Sequence, residues 1–398
     1  MHRADLRTRR PIDTVSTIPA RSEPTRSPRR FSLRIAAGFI LAMTWIGLLG
    51  STNSSAHIVM GTKSLHLLVV EADLVLRARV TDPEFVFVSA DGLSRRKLVE
   101  IEVLEEMKGD AGAKTIRFAQ DGHDVARYAS GQEALFFLRP IAKSRELRML
   151  AVPNGPSHVS GQEHEERFLI EGKYAQVLLS AVRRLTKSGT AGSTAQRVAL
   201  IRSATLDLLT SGDAGLGASG LASLVLTPHA ALVTAADLPR LKAFLARQDV
   251  SIGLRAGLIA ELERRGLIEG GAYWLALLQN AGPAELPAAI RAAGAHPSVA
   301  VNAYLLSVLS HSESQTEIAA ECAIALGTAR NVVAVDALSD ALMKGKPRLR
   351  NAAIRGLGRI DGPEAHEALE RAAQTHSDSA TRKRARAELR SAAVRRNY

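Results

Sequence analysis

The chain has 398 residues, of which 46% are hydrophobic and 23% charged, and its formal net charge is +12. A basic excess of this size is typical of nucleic-acid-binding proteins. Here it is confined to the two ends: residues 1–34 hold nine arginines against three acidic residues, residues 381–398 hold seven basic residues against one, and the rest is neutral. Specific nucleic-acid binding is therefore not expected.

A single cysteine excludes an intramolecular disulfide. With 4% aromatic residues we expect no large cofactor pocket, and no cofactor.

The N-terminal segment, residues 1–56, is predicted to be a basic tail and signal peptide. Its arginines precede an uncharged apolar region, residues 35–50, and small residues at Ser54 and Ala56 complete the layout. We expect cleavage after Ala56 and export, so that the mature protein is periplasmic or secreted. The apolar region has 16 residues, whereas a helix that spans a bilayer needs about 20. An uncleaved N-terminal membrane anchor is the alternative.

Residues 57–171 are predicted to form a small β-rich domain. Apolar and polar residues alternate over residues 74–80 and again over residues 99–103, which is the period of a strand with one buried side. Further strands are expected at residues 115–118 and 134–138. Several short strands at this spacing favour a small barrel.

Three segments of that domain, residues 71–80, 103–109 and 131–138, carry a resemblance. Over residues 63–140 the chain resembles a bacterial secreted oligonucleotide/oligosaccharide-fold (OB-like) domain related to the tissue metalloprotease inhibitors. The resemblance implies a closed β-barrel. Those inhibitors depend on disulfides and on an N-terminal cysteine, which this chain lacks, so inhibition is not implied.

Residues 172–235 are predicted to form a helical connector that caps the following repeats. Apolar residues recur at helical spacing over residues 177–185 and again over residues 198–209. We therefore expect two helices here.

The C-terminal part, residues 236–398, contains an internal repeat. Residues 288–294 (AAIRAAG) and 352–358 (AAIRGLG) nearly match 64 residues apart, which fits two units of about 32 residues. In one unit, apolar residues recur at helical spacing over residues 335–342 and 349–357. Units of two helices bury their apolar faces only against neighbouring units, so the pattern predicts an α-α solenoid.

The segment 347–360, PRLRNAAIRGLGRI, resembles a HEAT repeat of the short bacterial kind. In that family an arginine recurs near the start of the second helix and a Leu-Gly pair near its end, and Arg350 and residues 357–358 occupy these places. The resemblance covers about residues 236–390. It implies a fold whose members mostly bind proteins, and it assigns no activity. Two more residues fit the arginine position: Arg255 and Arg382.

Histidines and acidic residues of the β-rich domain are the candidate metal ligands. His158 and residues 163–166 (EHEE) form the densest group, but the His-Glu-x-x-His spacing is missing and the stretch is predicted to be a polar loop. Residues 121–124 (DGHD) begin with the Asp-Gly pair of a turn. Signal cleavage would make His57 the first residue, with an amine and an imidazole that could chelate copper, although a frayed terminus is the preferred interpretation.

Two further motifs have structural interpretations. Cys322 aligns with Ala353 of the next repeat, so we expect a small buried residue and not a nucleophile. Residues 215–220 (GLGASG) imitate a phosphate-binding loop but lack the following lysine and a preceding strand. The sequence therefore assigns no catalytic, cofactor-binding or metal-binding residue.

Basic residues cluster on the predicted final helix. The preferred interpretation is the solvated cap of a solenoid, and the alternative is contact with anionic lipid or cell-wall polymer. The cluster comprises Arg382, Lys383, Arg384, Arg386 and Arg390.

These patterns predict an α+β multidomain protein in which a small OB-like β-barrel is followed by an α-α helical-repeat solenoid. The expected function is that of an exported, non-catalytic binding or scaffold protein that holds a protein partner of unknown identity. The alternative is a metal-dependent enzyme, or a metal-chelating inhibitor, that uses loops of the β-rich domain.

Overall fold

The computed structural model describes residues 64–88, 95–118, 128–140, 156–158, 170, 172–226, 232–311 and 316–396. The predicted signal peptide, its cleavage site and the alternative anchor lie outside these residues. Within the described ranges, no helix combines the length and the hydrophobicity that a membrane span requires.

The described chain begins with a short helix and an antiparallel sheet. Neighbouring strands of the sheet pair antiparallel in the order β3-β2-β1-β4-β5. The four strands predicted from alternating hydrophobicity are therefore confirmed. The elements are α1 (Leu65–Glu71), β1 (Leu74–Val88), β2 (Arg95–Lys108), β3 (Thr115–Phe118), β4 (Glu133–Pro140) and β5 (Pro156–His158).

The first two strands are longer than the sequence predicts. β1 continues past Val80 through Asp82 and Pro83 to Val88, opposite a similarly long β2. Proline usually ends a strand because it donates no backbone N–H. Here the register shifts on both sides of Asp82, and such bulges leave residues outside the ladder. The strand therefore passes the proline without losing its partner.

The sheet is not shown to close into the predicted barrel. β3 and β5 form its two edges, and they lie near each other. Among the strands that the structure describes, no hydrogen-bonded pairing joins these edges, as closure requires. The observed unit is a five-stranded antiparallel sheet, and the closed OB-like barrel stays a prediction.

The two sides of the sheet belong to different cores. Leu76, Val80 and Ile101 lie in a core cluster formed by the sheet itself. Val75 and Phe137 instead join the core of the helical part. Adjacent residues of a strand point to opposite sides, so the sheet is packed onto the helices along one side.

Polar contacts reinforce this junction. Lys108 Nζ, at the end of β2, donates to the carbonyl oxygens of Val69 at 2.8 Å and Ala72 at 2.5 Å. These carbonyls lie at the C-terminal end of α1, where unpaired acceptors and the helix dipole favour a cation. At the other end of α1, the Leu65 N–H donates to Ser219 Oγ at 2.8 Å. Helix α1 thus joins the sheet to the helical part.

Helices make up the rest of the described chain. Two 3₁₀ turns, Ala235–Asp237 and Val332–Ala334, precede α5 and α11. The helices are α2 (Ala175–Gly189), α3 (Thr194–Leu209), α4 (Ala214–Leu226), α5 (Leu238–Leu245), α6 (Ile252–Arg264), α7 (Gly270–Gln279), α8 (Leu286–Gly294), α9 (Val299–His311), α10 (Thr316–Thr328), α11 (Val335–Lys344), α12 (Pro347–Leu357), α13 (Pro363–Thr375) and α14 (Ser379–Arg396).

The helices from α6 onward stack in two layers, which is the solenoid-like arrangement that the repeat predicts. One layer contains α6, α8, α10, α12 and α14, each in contact with the next. The other contains α7, α9, α11 and α13, again in succession. A continuous core of buried side chains runs from Leu65 to Ala385. Each unit is therefore stabilised mainly by its neighbours.

The glycine-rich motif at residues 215–220 is a helix and not a loop. It lies inside α4, where a Cβ on Gly217 would come within 2.6 Å of Leu254 Cδ2 and one on Gly220 within 2.5 Å of the Leu209 backbone nitrogen. The glycines thus permit close helix packing. The motif is therefore part of a packed helix.

Small residues also control the stacking of the repeats. A Cβ on Gly327 of α10 would lie 2.3 Å from the Cα of Gly356 on α12, and one on Gly294 would lie 2.5 Å from the Cβ of Ala325. The backbones of successive helices therefore meet directly.

We predict that Gly327→Ala destabilises the protein by about 1–3 kcal/mol, because the added methyl group must displace backbone atoms. Gly189→Ala is the matched control, since a Cβ there meets no atom within 4 Å and alanine favours the helix. Urea unfolding of both variants measures the difference. Equal stability of the two variants would contradict the close packing of α10 on α12.

Candidate functional site

A cleft of about 520 Å³ opens at the C-terminal ends of α10 and α12 and is also lined by α14. Two glycines at the helix ends leave its floor without side chains, and three arginines and one aspartate stand around it. The lining residues are Gly327, Thr328, Arg330, Gly358, Arg359, Asp361, Ala392 and Arg395.

The arginines of the cleft are held by oxygen atoms of neighbouring repeats. Arg330 Nη1 lies 3.0 Å from Asp361 Oδ2, and Arg359 Nη1 donates to Thr328 Oγ1 at 2.7 Å. Both pairs join residues 31 positions apart, which is one repeat. Arg395 Nη2 donates to the Gly358 carbonyl oxygen at 2.8 Å. The guanidinium groups are thus positioned by contacts between repeats.

Arg330 has an unusual backbone conformation. Its φ is 50°, and it is the one non-glycine residue with positive φ in the part of the chain that the structure describes. It ends α10: its N–H donates to the Gly327 carbonyl and the Asn331 N–H to the Leu326 carbonyl, at 3.0 and 3.1 Å. This is a Schellman motif, whose left-handed position is usually glycine.

Helix α6 also ends in a Schellman motif, and there glycine occupies the left-handed position. At the end of α6, Gly266 has a φ of 69°, and Leu267 N–H donates to the Leu262 carbonyl at 2.9 Å. Gly266 and Arg330 lie 64 residues apart, the spacing of the internal repeat. An arginine in this conformation costs about 1–2 kcal/mol relative to glycine. Arginine therefore occupies a position where backbone sterics favour glycine.

The predicted basic helix is α14, and its cations fall into two groups. Arg382 donates to the His376 carbonyl, Arg384 contacts Asn351 Oδ1, and Arg395 donates to Glu388. The other group is exposed and has no hydrogen bond or ion pair among the described residues: Lys383, Arg386 and Arg390. These three lie on the side of the helix opposite the buried Ala385 and Ala392.

The arginines at the recurring HEAT-like position are structural. The Arg255 side chain is 4% exposed and lies 3.9 Å from Glu285, and Arg350 lies 3.3 Å from Asp378. Hydrogen bonds from Thr381, the Ala380 N–H and the Thr381 N–H, with the charge of Arg350, lower the pKa of Asp378. These pairs connect successive repeats inside the stack. The buried Arg255 in particular is unavailable to a partner.

A cluster of aromatic and acidic side chains lies between α6 and α9. The sequence does not predict it. Trp274 is fully buried and stacks on His296, with ring centroids 4.4 Å apart. Glu263 Oε2 accepts from Trp274 Nε1 at 3.1 Å and lies 2.8 Å from His296 Nδ1. Burial lowers the pKa of His296, while the Glu263 charge opposes that shift. The cluster joins α6, α7 and the loop between α8 and α9, and no periodic pattern predicts it.

The candidate metal ligands are not brought together by the described structure. His158 ends β5, while residues 57, 121–124 and 163–166 lie outside the described residues. Among the residues whose placement is given, no group of three or more histidine, cysteine, aspartate or glutamate side chains could hold a metal ion.

Cys322 is fully buried on α10, as its alignment with Ala353 predicts. Burial, with a smaller contribution from the charge of Glu321, raises its pKa to about 12. The thiol is therefore protonated at neutral pH, and a protonated thiol is a poor nucleophile.

We predict that Cys322 reacts with Ellman's reagent only after unfolding. In the native protein at pH 8 the thiol is both inaccessible and protonated, so labelling should be slower than in urea by several orders of magnitude. The absorbance of the released thiolate measures the rate. Fast stoichiometric labelling of the native protein would contradict the burial of α10.

The comparisons with known proteins identify one segment. Residues 302–390 match the family described as HEAT repeats. The segment runs from α9 into α14 and includes most of the cleft. No curated protein matches the chain, and nothing in these comparisons supports the resemblance of residues 63–140 to an OB-like inhibitor domain. Residues 302–390 are thus similar to HEAT repeats, within a C-terminal part that is built of helical repeats.

Proposed function

We propose that this chain is a non-catalytic scaffold whose helical repeats hold a protein partner. The observation that carries the proposal is the two-layered stack from α6 to α14, matched in its second half by HEAT repeats. HEAT repeats are generally protein-interaction modules, and stacked repeats present long surfaces to a partner. The partner's identity is open.

The partner surface that we favour is the edge where one repeat passes to the next. Val299 begins α9, and Val332 and Val333 lie at the equivalent place one repeat later, in the turn before α11; they are 90%, 61% and 76% exposed. Arg330 lies just before that turn, and Arg359 lies in the next equivalent loop, between α12 and α13. Apolar side chains with arginines among them are typical of protein interfaces.

Export is part of the proposal and rests on the sequence. The basic tail, the apolar region 35–50 and the site after Ala56 support a cleaved signal peptide. The mature protein would then be periplasmic or secreted, and the uncleaved anchor is the alternative. The metal-dependent enzyme or chelating inhibitor has no observation in its favour, because most of its candidate ligands lie outside the described residues.

A second contact is proposed for α14. Lys383, Arg386 and Arg390 point away from the repeats and carry no recorded partner, so their charge is free for an anionic surface such as lipid headgroups. Basic residues near an anionic membrane contribute about 1 kcal/mol each. The helix would then bring the scaffold to a surface while the repeats hold the partner.

We predict that a photo-crosslinking residue at Val333 captures the partner in the cell envelope and that the same residue at Val70 does not. Both valines are exposed, at 76% and 61%, so neither substitution removes a core contact. Val70 lies on α1, away from the repeat edge. Mass spectrometry identifies the adducts. The proposal is wrong if crosslinkers at Val299, Val333 and Val394 all yield no specific adduct.

We predict that Lys383→Glu, Arg386→Glu and Arg390→Glu together lower the affinity for phosphatidylglycerol vesicles about 100-fold, given the contribution of each cation. A control with the same charge change, Lys187→Glu, Arg197→Glu and Lys242→Glu, alters exposed cations on α2, α3 and α5. Vesicle flotation at low and high salt measures binding. Equal losses in both variants, or no binding by the unchanged chain, would contradict surface contact through α14.

A further inference from the structure

We propose that the arginine cleft binds an acidic segment of the partner, in which carboxylate side chains alternate with aliphatic ones. The inference rests on the proposed scaffold function and names the chemistry of its partner. It starts from the cleft at the ends of α10 and α12, which has a defined volume and a defined set of charged groups.

The charge of the cleft is complementary to carboxylates. Its lining contributes three guanidinium groups, Arg330, Arg359 and Arg395. Asp361 pairs with the first and Glu388 with the last, which leaves a net excess of one positive charge at the cleft. A guanidinium has five N–H donors in a planar fork that matches a carboxylate. The recorded contacts use one nitrogen of Arg330 and one of Arg359. Each of these two residues keeps Nε and the second Nη for a ligand.

The backbone of Arg330 gives an independent argument. Arginine stands where the equivalent helix end carries Gly266, in a left-handed conformation that glycine adopts without strain. Strained residues persist where the surrounding structure holds them, and they concentrate at binding sites. The ion pair with Asp361 joins side chains that are 73% and 65% exposed, so it contributes too little to explain the arginine by stability. Ligand binding explains it.

The surroundings of the cleft favour a peptide over a simple polyanion. Val332 and Val333 follow Arg330 in the same loop and are exposed, so aliphatic side chains of a ligand would find apolar contacts there. Asp361 would repel a densely charged phosphate polymer and can accept N–H groups of a peptide backbone. The geometry thus fits carboxylates spaced along a peptide.

The test uses a short fluorescein-labelled peptide of alternating glutamate and leucine, titrated with the full chain and followed by anisotropy. The variant is Arg330→Gly with Arg359→Gln, which keeps the Schellman motif and a hydrogen-bond donor for Thr328. The matched control removes two exposed cations elsewhere, Lys187→Gln with Arg197→Gln. A glutamine–leucine peptide and inorganic polyphosphate serve as competitors.

We expect the cleft variant to bind the glutamate–leucine peptide at least about tenfold more weakly, because it loses charge-assisted hydrogen bonds from guanidinium to carboxylate. Its melting temperature should be equal to or above that of the unchanged chain. The control should bind unchanged. Equal affinity of cleft variant and control, competition by the glutamine peptide, or stronger competition by polyphosphate would each overturn the proposal.

The Val333 crosslink separates this inference from the scaffold function. If the unchanged chain captures a partner and the cleft variant captures it equally well, the cleft proposal fails and the scaffold stands. If crosslinkers at Val299, Val333 and Val394 of the unchanged chain all capture none, the scaffold proposal fails. Loss of capture in the cleft variant alone supports both.

Discussion

Direct contact between the backbones of successive helices in the layer that contains α10 and α12 is the constraint on which the rest of the structure depends. At α10 and α12 that contact lies between Gly327 and Gly356, where no Cβ would fit. Dispersion forces act only at contact distance, so each repeat is stabilised by the next through this seam. The same lack of side chains at Gly327 and Gly358 opens the arginine cleft. Small residues at fixed places in the repeat therefore determine both the stacking and the candidate site.

The sequence predicts those parts of the fold in which local pattern and tertiary packing agree. The helices around residues 288–294 and 352–358 follow from the repeat, since the same apolar spacing recurs with a glycine at the same final position. Helix α4 could not be predicted, because its glycines oppose a helix locally and only packing against Leu209 and Leu254 explains them. β1 continues past Pro83 for a similar reason: pairing with β2 stabilises a strand that proline disfavours locally.

The candidate site was harder to predict because it consists of contacts between repeats. Arg330 and Asp361, like Thr328 and Arg359, lie 31 residues apart, and no local pattern connects them. One signal was present. Aligning Gly266 with Arg330 at the spacing of the repeat shows an arginine in place of a glycine. This difference is informative only when both positions are known to have a left-handed φ, and helical periodicity in a sequence does not reveal φ.

The charges of α14 keep its outer side in solvent. Apolar cover would bury Lys383, Arg386 and Arg390, and burying three unpaired cations costs more than the small exposed alanines beside them would return. Charges of either sign, or of both signs, would be enough to keep this side soluble. The exposed side of α14 has three cations and no acidic residue, so it also attracts anions over about 10 Å at moderate salt. The outer side of α14 therefore keeps its charge available for binding.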